Sequence, residues 1–122
     1  MLKKVAFTMY PVENIERARQ FYEKTLNLTL GSISSSGAWV EYDLPGGGCF
    51  AITTLAKDVK PSAHAGGSIA FEVDNLDDLV TQLKSKEVKF KLDTFKTPVC
   101  KLVVILDSEG NAVTLHQLHR KN

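Results

Sequence analysis

Apolar residues recur every three or four positions between Ile15 and Leu26, a period that predicts an amphipathic helix. Asn14 directly precedes this segment and is suited to cap it by accepting a backbone hydrogen bond from the first turn. The predicted buried face consists of Ile15, Ala18, Phe21, Tyr22 and Leu26. The residues predicted to face water are Glu16, Arg19, Gln20, Glu23 and Lys24. Because the apolar face of such a helix must be buried, we expect it to lie on a sheet.

β-Prone segments separated by turn residues supply the strands of that sheet. In the first half they are Val5–Tyr10 before the helix, then Leu28–Ile33, Ala38–Leu44 and Cys49–Thr54. In the second half, Asn75 is the predicted N-cap of a helix whose apolar face carries Leu76, Leu79, Val80 and Leu83. The strands predicted after this helix are about Lys89–Leu92, Val99–Leu106 and Ala112–Leu118. Both halves therefore read strand, helix, strand, strand, strand.

The two halves are related by an internal repeat. Residues 7–16 (FTMYPVENIE) align without a gap with residues 68–77 (SIAFEVDNLD), at an offset of 61 residues. Neither half alone can bury both faces of its sheet. We therefore predict a single domain over residues 1–122, with a first module at about 3–55, a linker at about 56–66 and a second module at about 67–119.

Composition excludes several classes of function. The chain has 122 residues, a formal net charge of +1 and no basic stripe, so nucleic acid is not an expected partner. No apolar run approaches the roughly 20 residues of a membrane span, so no membrane partner is expected either. The two cysteines, Cys49 and Cys100, are too few for a disulfide-rich secreted scaffold, which favours a cytoplasmic protein with free thiols.

Two segments carry a family resemblance. Residues 12–22 (VENIERARQFY) and 107–111 (DSEGN) resemble the vicinal oxygen chelate superfamily, which includes glyoxalase I, bleomycin- and fosfomycin-resistance proteins and extradiol dioxygenases. The stretches around residues 39–44, 97–100 and 115–117 are most similar to an uncharacterised, glyoxalase-like bacterial branch. The resemblance implies an α+β fold in which two βαβββ modules form a cup-shaped, partly open barrel with helices outside. It also implies a ligand in the cup and, in many members, a homodimer.

Enzymes of this superfamily usually hold a divalent metal through His, Glu or Gln on the first and last strands of each module. The positions that correspond in this chain are Phe7, Ala51, Ser68 and Thr114. None is a ligand of the expected kind. We therefore expect no metal at the usual site and no cofactor.

Strand alternation identifies two other polar residues that would face the cup. If Ser68 faces the cup, so does Glu72, while Phe71 packs against the helix. On the last strand, Thr114 and His116 would line the cup, and Val113 and Leu115 would face the helix. Two ligands are too few for a tight divalent site, although a displaced metal site remains an alternative.

His116 and Glu72 are the candidate catalytic residues. A neutral imidazole can exchange a proton near neutral pH, and a carboxylate on an inward face can serve as an acid or a ligand anchor. The alternative is a histidine hydrogen-bonded near the rim and an ion pair at the mouth of the cup.

Seven further residues are candidate ligand contacts, and several of them have a purely structural alternative. Phe7, Met9 and Trp39 could form an apolar floor or simply fill the cup. The sequence does not fix which way Glu41 points, and Cys100 could be a nucleophile but has no basic neighbour in the sequence. The whole set is Phe7, Met9, Trp39, Glu41, Ser68, Cys100 and Thr114.

The leading hypothesis is a metal-independent protein that binds a small organic molecule and forms a homodimer. The alternative is a lyase or isomerase, or a dioxygenase-like enzyme, that uses His116 and Glu72 with or without a displaced metal site. A third possibility is an assembly module whose cup is filled by its own side chains.

Overall fold

The computed structural model describes residues 1 and 3–119, so the ends of the predicted domain, at residues 2 and 120–122, lie outside the described residues. The chain divides at the Pro61–Ser62 junction into two compact units. Each unit contains one four-stranded sheet and one helical segment. No helix within the described part of the chain has the length and apolar character needed to cross a membrane.

The first unit has the element order that the sequence predicts. Its strands are β1 (Thr8–Pro11), β2 (Leu30–Ile33), β3 (Trp39–Asp43) and β4 (Cys49–Thr53). They lie in the order β1-β4-β3-β2, with β1 parallel to β4 and the other pairs antiparallel. The predicted start of β1 at Val5 is wrong, because Thr8, opposite Phe50, is the first residue that pairs with β4.

The helical segment of this unit changes its winding partway along. Helix α1 (Ile15–Gln20) begins after Asn14, whose side chain accepts a 2.9 Å hydrogen bond from the Arg17 N–H, as predicted. One π-helical turn, Phe21–Thr25, then completes the segment, with the Leu26 N–H bonded to the Phe21 carbonyl. This wider turn buries the adjacent rings of Phe21 and Tyr22.

One face of the first sheet packs against this helical segment. The Tyr22 ring lies 4.9 Å from Phe50 and 6.3 Å from Tyr42, centroid to centroid. The buried residues of this helix face are Tyr10, Val40, Tyr42, Phe50 and Ile52. The alternating residues lie on the opposite face, which we call the open face of the unit.

The second unit repeats the topology. Its strands are β5 (Ile69–Glu72), β6 (Phe90–Lys96), β7 (Cys100–Leu106) and β8 (Ala112–Leu118), in the order β5-β8-β7-β6. Helix α2 (Leu76–Ser85) is capped by Asn75, which accepts a 3.1 Å bond from the Asp78 N–H. Strand β6 extends beyond its predicted end at Leu92, because a register shift between Leu92 and Phe95 lets it pass the polar residues Asp93 and Thr94 and pair again at Phe95.

The register of the second sheet confirms the predicted alternation. Phe71 lies opposite Leu115, and Leu115 lies opposite Val103, and all three are buried on the helix face. Glu72 lies opposite His116, one residue further along, on the open face.

The turn between β7 and β8 is held by side-chain hydrogen bonds. The Asp107 carboxylate accepts 2.8 Å bonds from the backbone N–H groups of Glu109 and Asn111. The Asn111 side-chain oxygen accepts a 3.0 Å bond from the Ser62 N–H. Gly110, with φ of 91°, supplies the left-handed residue that the turn requires. The start of the unit is thus fixed to the turn that precedes its last strand.

The two faces of β8 should respond differently to truncation. We expect Leu115→Ala to lower the free energy of unfolding by about 2–5 kcal/mol, because it opens a cavity in the core. His116→Ala, on the open face, should cost only about 1 kcal/mol. Chemical denaturation of both variants makes the comparison, and equal losses would contradict this assignment of the faces.

Candidate functional site

An imidazole–carboxylate pair lies on the open face of the second unit. Glu72 and His116 are direct neighbours on the parallel strands β5 and β8. The His116 Nδ1 atom lies 2.5 Å from Glu72 Oε1. The other carboxylate oxygen, Oε2, accepts a 2.7 Å bond from the Leu118 N–H. The structure therefore brings together the two predicted catalytic residues and fixes the carboxylate from two sides.

This geometry assigns different tasks to the two ring nitrogens. A carboxylate beside Nδ1 favours the neutral tautomer that carries its proton on Nδ1. Nε2 is then the nitrogen with a lone pair, and it can accept a hydrogen bond or a proton from a bound molecule. The Glu72 carboxylate orients the ring and would stabilise a positive charge that developed on it.

The hydrogen bonds of Glu72 also affect its titration. The Leu118 N–H, and secondly His116, hold the pKa of Glu72 below its usual value. The lowered pKa means that this carboxylate adds stability above its unfolded-state pKa, and that the contribution is lost as the pH falls through the folded value. Because the Glu72 side chain is 57% exposed, this contribution is small.

Apolar and small side chains surround the pair. The cross-strand row through it runs Glu72, His116, Leu102 and Phe95, and the adjacent row runs Ala70, Thr114, Val104 and Leu92. Phe95 is 52% exposed and Leu92 is 44% exposed. Ser68 is exposed just before β5. The open face of this unit thus offers apolar surface around one polar pair.

The open face of the first unit carries the other predicted contacts. Met9, Ala51, Glu41 and Ser32 form one cross-strand row on it, and Trp39 lies two residues before Glu41 on the same side of β3. The Trp39 indole N–H donates a 2.7 Å bond to Glu41 Oε2. Phe7 meets Trp39 edge to face, with ring centroids 5.1 Å apart. The pairing of β3 with β4 settles the direction of Glu41, which the sequence left open.

The two cysteines are free thiols in different surroundings. Cys100 is 7% exposed, and its Sγ lies 3.3 Å from the hydroxyl of Thr97. Cys49 lies on the open face of the first unit, opposite Asp43. Burial, and secondly the negative charges of Glu41 and Asp43, raise the pKa of the Cys49 thiol. The raised pKa of Cys49 does not favour a thiolate nucleophile at that position.

The residues present do not fit the divalent metal that this kind of fold commonly holds. Phe7, Ala51, Ser68 and Thr114, at the four corresponding positions, include no carboxylate, imidazole or thiol ligand. In residues 1 and 3–119, no three His, Cys, Asp or Glu side chains come close enough to share an ion.

Sequence reasoning missed a polar network under the first sheet. Glu23, predicted to face water, accepts hydrogen bonds from Arg19 at 2.7 Å and from the buried Tyr42 hydroxyl at 2.9 Å. The Arg19 bond holds the pKa of Glu23 below its usual value, and burial raises the pKa of Tyr42. The only signal was that a tyrosine on a helix-facing position needs a partner for its hydroxyl group.

The family comparison covers almost the whole chain. Residues 4–115 match the model of the Glyoxalase/Bleomycin resistance protein/Dioxygenase superfamily. No sequence among curated proteins matches the chain.

Solved structures with the same fold are distant in sequence. TnmS3, an antibiotic binding protein from Streptomyces sp. CB03234, superposes with a TM-score of 0.80 at 20% identity, covering 96% of this chain and 97% of that one. A glyoxalase/dioxygenase from Nostoc punctiforme gives 0.81 at 17% identity, with coverage of 98% and 93%. Lactoylglutathione lyase from Agrobacterium tumefaciens gives 0.74 at 16% identity, with coverage of 95% and 94%. At these identities the similarity establishes the fold alone.

Proposed function

Since the chain belongs to the Glyoxalase/Bleomycin resistance protein/Dioxygenase superfamily, we propose that it binds a small organic molecule through its open sheet faces, without the divalent metal typical of the fold. The observation that carries this proposal is the anchored His116–Glu72 pair among exposed apolar side chains. An apolar surface with a few fixed polar groups is typical of small-molecule sites.

Several residues of the second unit's open face have distinct roles in this proposal. His116 Nε2 forms the polar contact with the ligand, and Glu72 positions the ring. The hydroxyl groups of Ser68 and Thr114 add hydrogen bonds, while Leu92 and Phe95 cover the apolar part of the ligand. Cys100 is left out of the contact set because its thiol is buried beside Thr97.

The open face of the first unit provides a second ligand-contacting surface, formed by Phe7, Met9, Trp39 and Glu41. Three of these side chains are apolar or aromatic, and one of them, Trp39, holds the Glu41 carboxylate through its indole N–H and packs against the Phe7 ring. The description of TnmS3 as an antibiotic binding protein is consistent with binding of an organic molecule by this fold.

The second candidate function is an enzyme of the lyase or isomerase type. It is favoured by the tautomer that Glu72 selects, because an outward Nε2 held by a carboxylate can accept a proton from a weakly acidic C–H group. The dioxygenase-like variant of this hypothesis has less support, because the donor set does not fit a metal.

The metal-free part of the proposal predicts the metal content of the purified protein. Protein purified without added metal should contain well below one equivalent of zinc, nickel, manganese or iron, because the four usual ligand positions lack suitable side chains. Elemental analysis of the purified chain measures this directly. One bound metal ion per chain would contradict the metal-free hypothesis.

The binding site can be located with a fragment library followed by backbone amide NMR shifts. We expect bound fragments to shift the amide resonances of Ala70, Leu102 and Leu118. The substitution His116→Asn should weaken fragment binding about tenfold, because the hydrogen bond from the ligand to the imidazole is lost. His64→Asn is the matched control, because His64 is exposed and lies outside both strands, in the segment before β5. If no fragment shifts these amides, the assembly-module alternative replaces the binding proposal.

We also propose a two-fold homodimer in the cytoplasm. The outer strands β2 and β6 are exposed along their whole paired length apart from Phe90, and unpaired strand edges are commonly covered by a partner. The free thiols of Cys49 and Cys100 suit a reducing compartment. Light scattering at micromolar concentration should give twice the monomer mass, and a monomer mass would contradict the dimer.

A further inference from the structure

The open face of the first unit carries two carboxylates that form no ion pair with any residue the structure describes. Glu41 and Asp43 lie on the same side of β3. None of the ion pairs among the described residues includes either carboxylate. The Glu41 contacts are neutral donors instead, the Trp39 indole at 2.7 Å and the Ser32 hydroxyl at 3.5 Å. These bonds fix the position of the Glu41 carboxylate but leave its charge in place.

Aromatic rings lie directly beside this carboxylate. The Trp39 ring is joined to Glu41 by its own N–H, and Phe7 packs against Trp39 at an interplanar angle of 85°. In such an edge-to-face pair, at least one face of each ring is free of the other ring. Phe7 is 45% exposed, so part of this aromatic surface reaches solvent.

The charge of this face also affects the neighbouring thiol of Cys49. Besides burial, Glu41 and Asp43 both raise the pKa of Cys49, and Lys4 acts in the opposite direction. Lys4 is exposed ahead of β1 and forms no ion pair with either carboxylate. The charges of Glu41 and Asp43 therefore act on Cys49 as well, with Lys4 opposing them.

We propose that this face recognises an organic cation, a quaternary or protonated amine that lies against the Trp39 and Phe7 rings with Glu41 as its counter-charge. Aromatic faces and a fixed carboxylate attract a soft, weakly hydrated ammonium group together. A metal ion is not the occupant, because no three His, Cys, Asp or Glu side chains among the described residues come close enough to hold one. The inference rests on the proposed function, since it names the ligand class for one of the two open faces.

Trp39 is the only tryptophan in the chain, so its fluorescence reports on this site alone. The probes are choline and 3,3-dimethylbutan-1-ol, which share one shape and differ in charge. We expect choline to bind at least about fivefold more tightly than the alcohol, and added salt to reduce the difference. Equal affinity for the two probes, or tighter binding of the alcohol, would overturn the inference.

Three variants test the assigned roles. Glu41→Gln should abolish the preference for choline while keeping an acceptor for the Trp39 N–H, so the fold is retained. Glu16→Gln removes the same charge from the exposed first turn of α1 and should leave the preference unchanged. If Glu41→Gln and Glu16→Gln reduced the preference for choline equally, the net charge of the protein, and not this face, would select the cation. Phe7→Leu should weaken choline binding about twofold to threefold.

Failure of this inference can be distinguished from failure of the proposed function. If the Trp39 signal responds to the alcohol and not to choline, the ligand class is wrong and small-molecule binding stands. If neither probe changes the Trp39 signal but fragments still shift the amides around His116, the role of the first face is wrong. If neither face responds, both proposals are wrong.

Discussion

Packing of one sheet face against one helical segment is the constraint on which each unit depends. In the first unit, Tyr22 reaches the sheet between Tyr42 and Phe50, and in the second, Phe71, Val103 and Leu115 occupy the corresponding face. Since strand side chains alternate, committing one face to the core also determines which residues occupy the other. The open faces are thus free to carry chemistry that a core could not accept, such as a carboxylate pointing away from the helix.

The same constraint explains how much of the site could be read from the sequence. Glu72 follows Phe71 and His116 follows Leu115, two strongly apolar residues, so period-two alternation places each of the polar residues on the face away from the helix. The Leu118 N–H that fixes the carboxylate could not be foreseen, because that bond depends on how β8 continues past its pairing with β5. Glu41 lay beyond such reasoning, since Trp39 and Tyr42 suit either face and only the pairing with β4 decides between them.

Fold prediction succeeded where local chemistry is decisive and was wrong where tertiary contacts override it. Asn14 and Asn75 cap their helices because a short polar side chain before an apolar run has one favourable use. The water-facing assignment of Glu23 was wrong because the hydroxyl of a buried tyrosine drew it toward the sheet. The early end assigned to β6 was wrong because the polar residues Asp93 and Thr94 look like a turn but are absorbed as irregularities of an edge strand.

The π-helical turn accounts for a difference in length between the helical segments of the two copies of the repeat. Asn27 and Glu87 are the left-handed residues that end the two helical segments, and they are 60 residues apart, although the helices begin at an offset of 61. In the first copy the Leu28 N–H reaches back six residues to Tyr22, and in the second the Val88 N–H reaches back five residues to Leu83. The first copy thus holds one more residue than the second, and the wide turn absorbs it without altering either helix boundary. An extra residue that is accommodated in a π-helical turn does not shift the pairing of the strands that follow it. The two halves of a duplicated chain can therefore differ in length while they keep the same architecture.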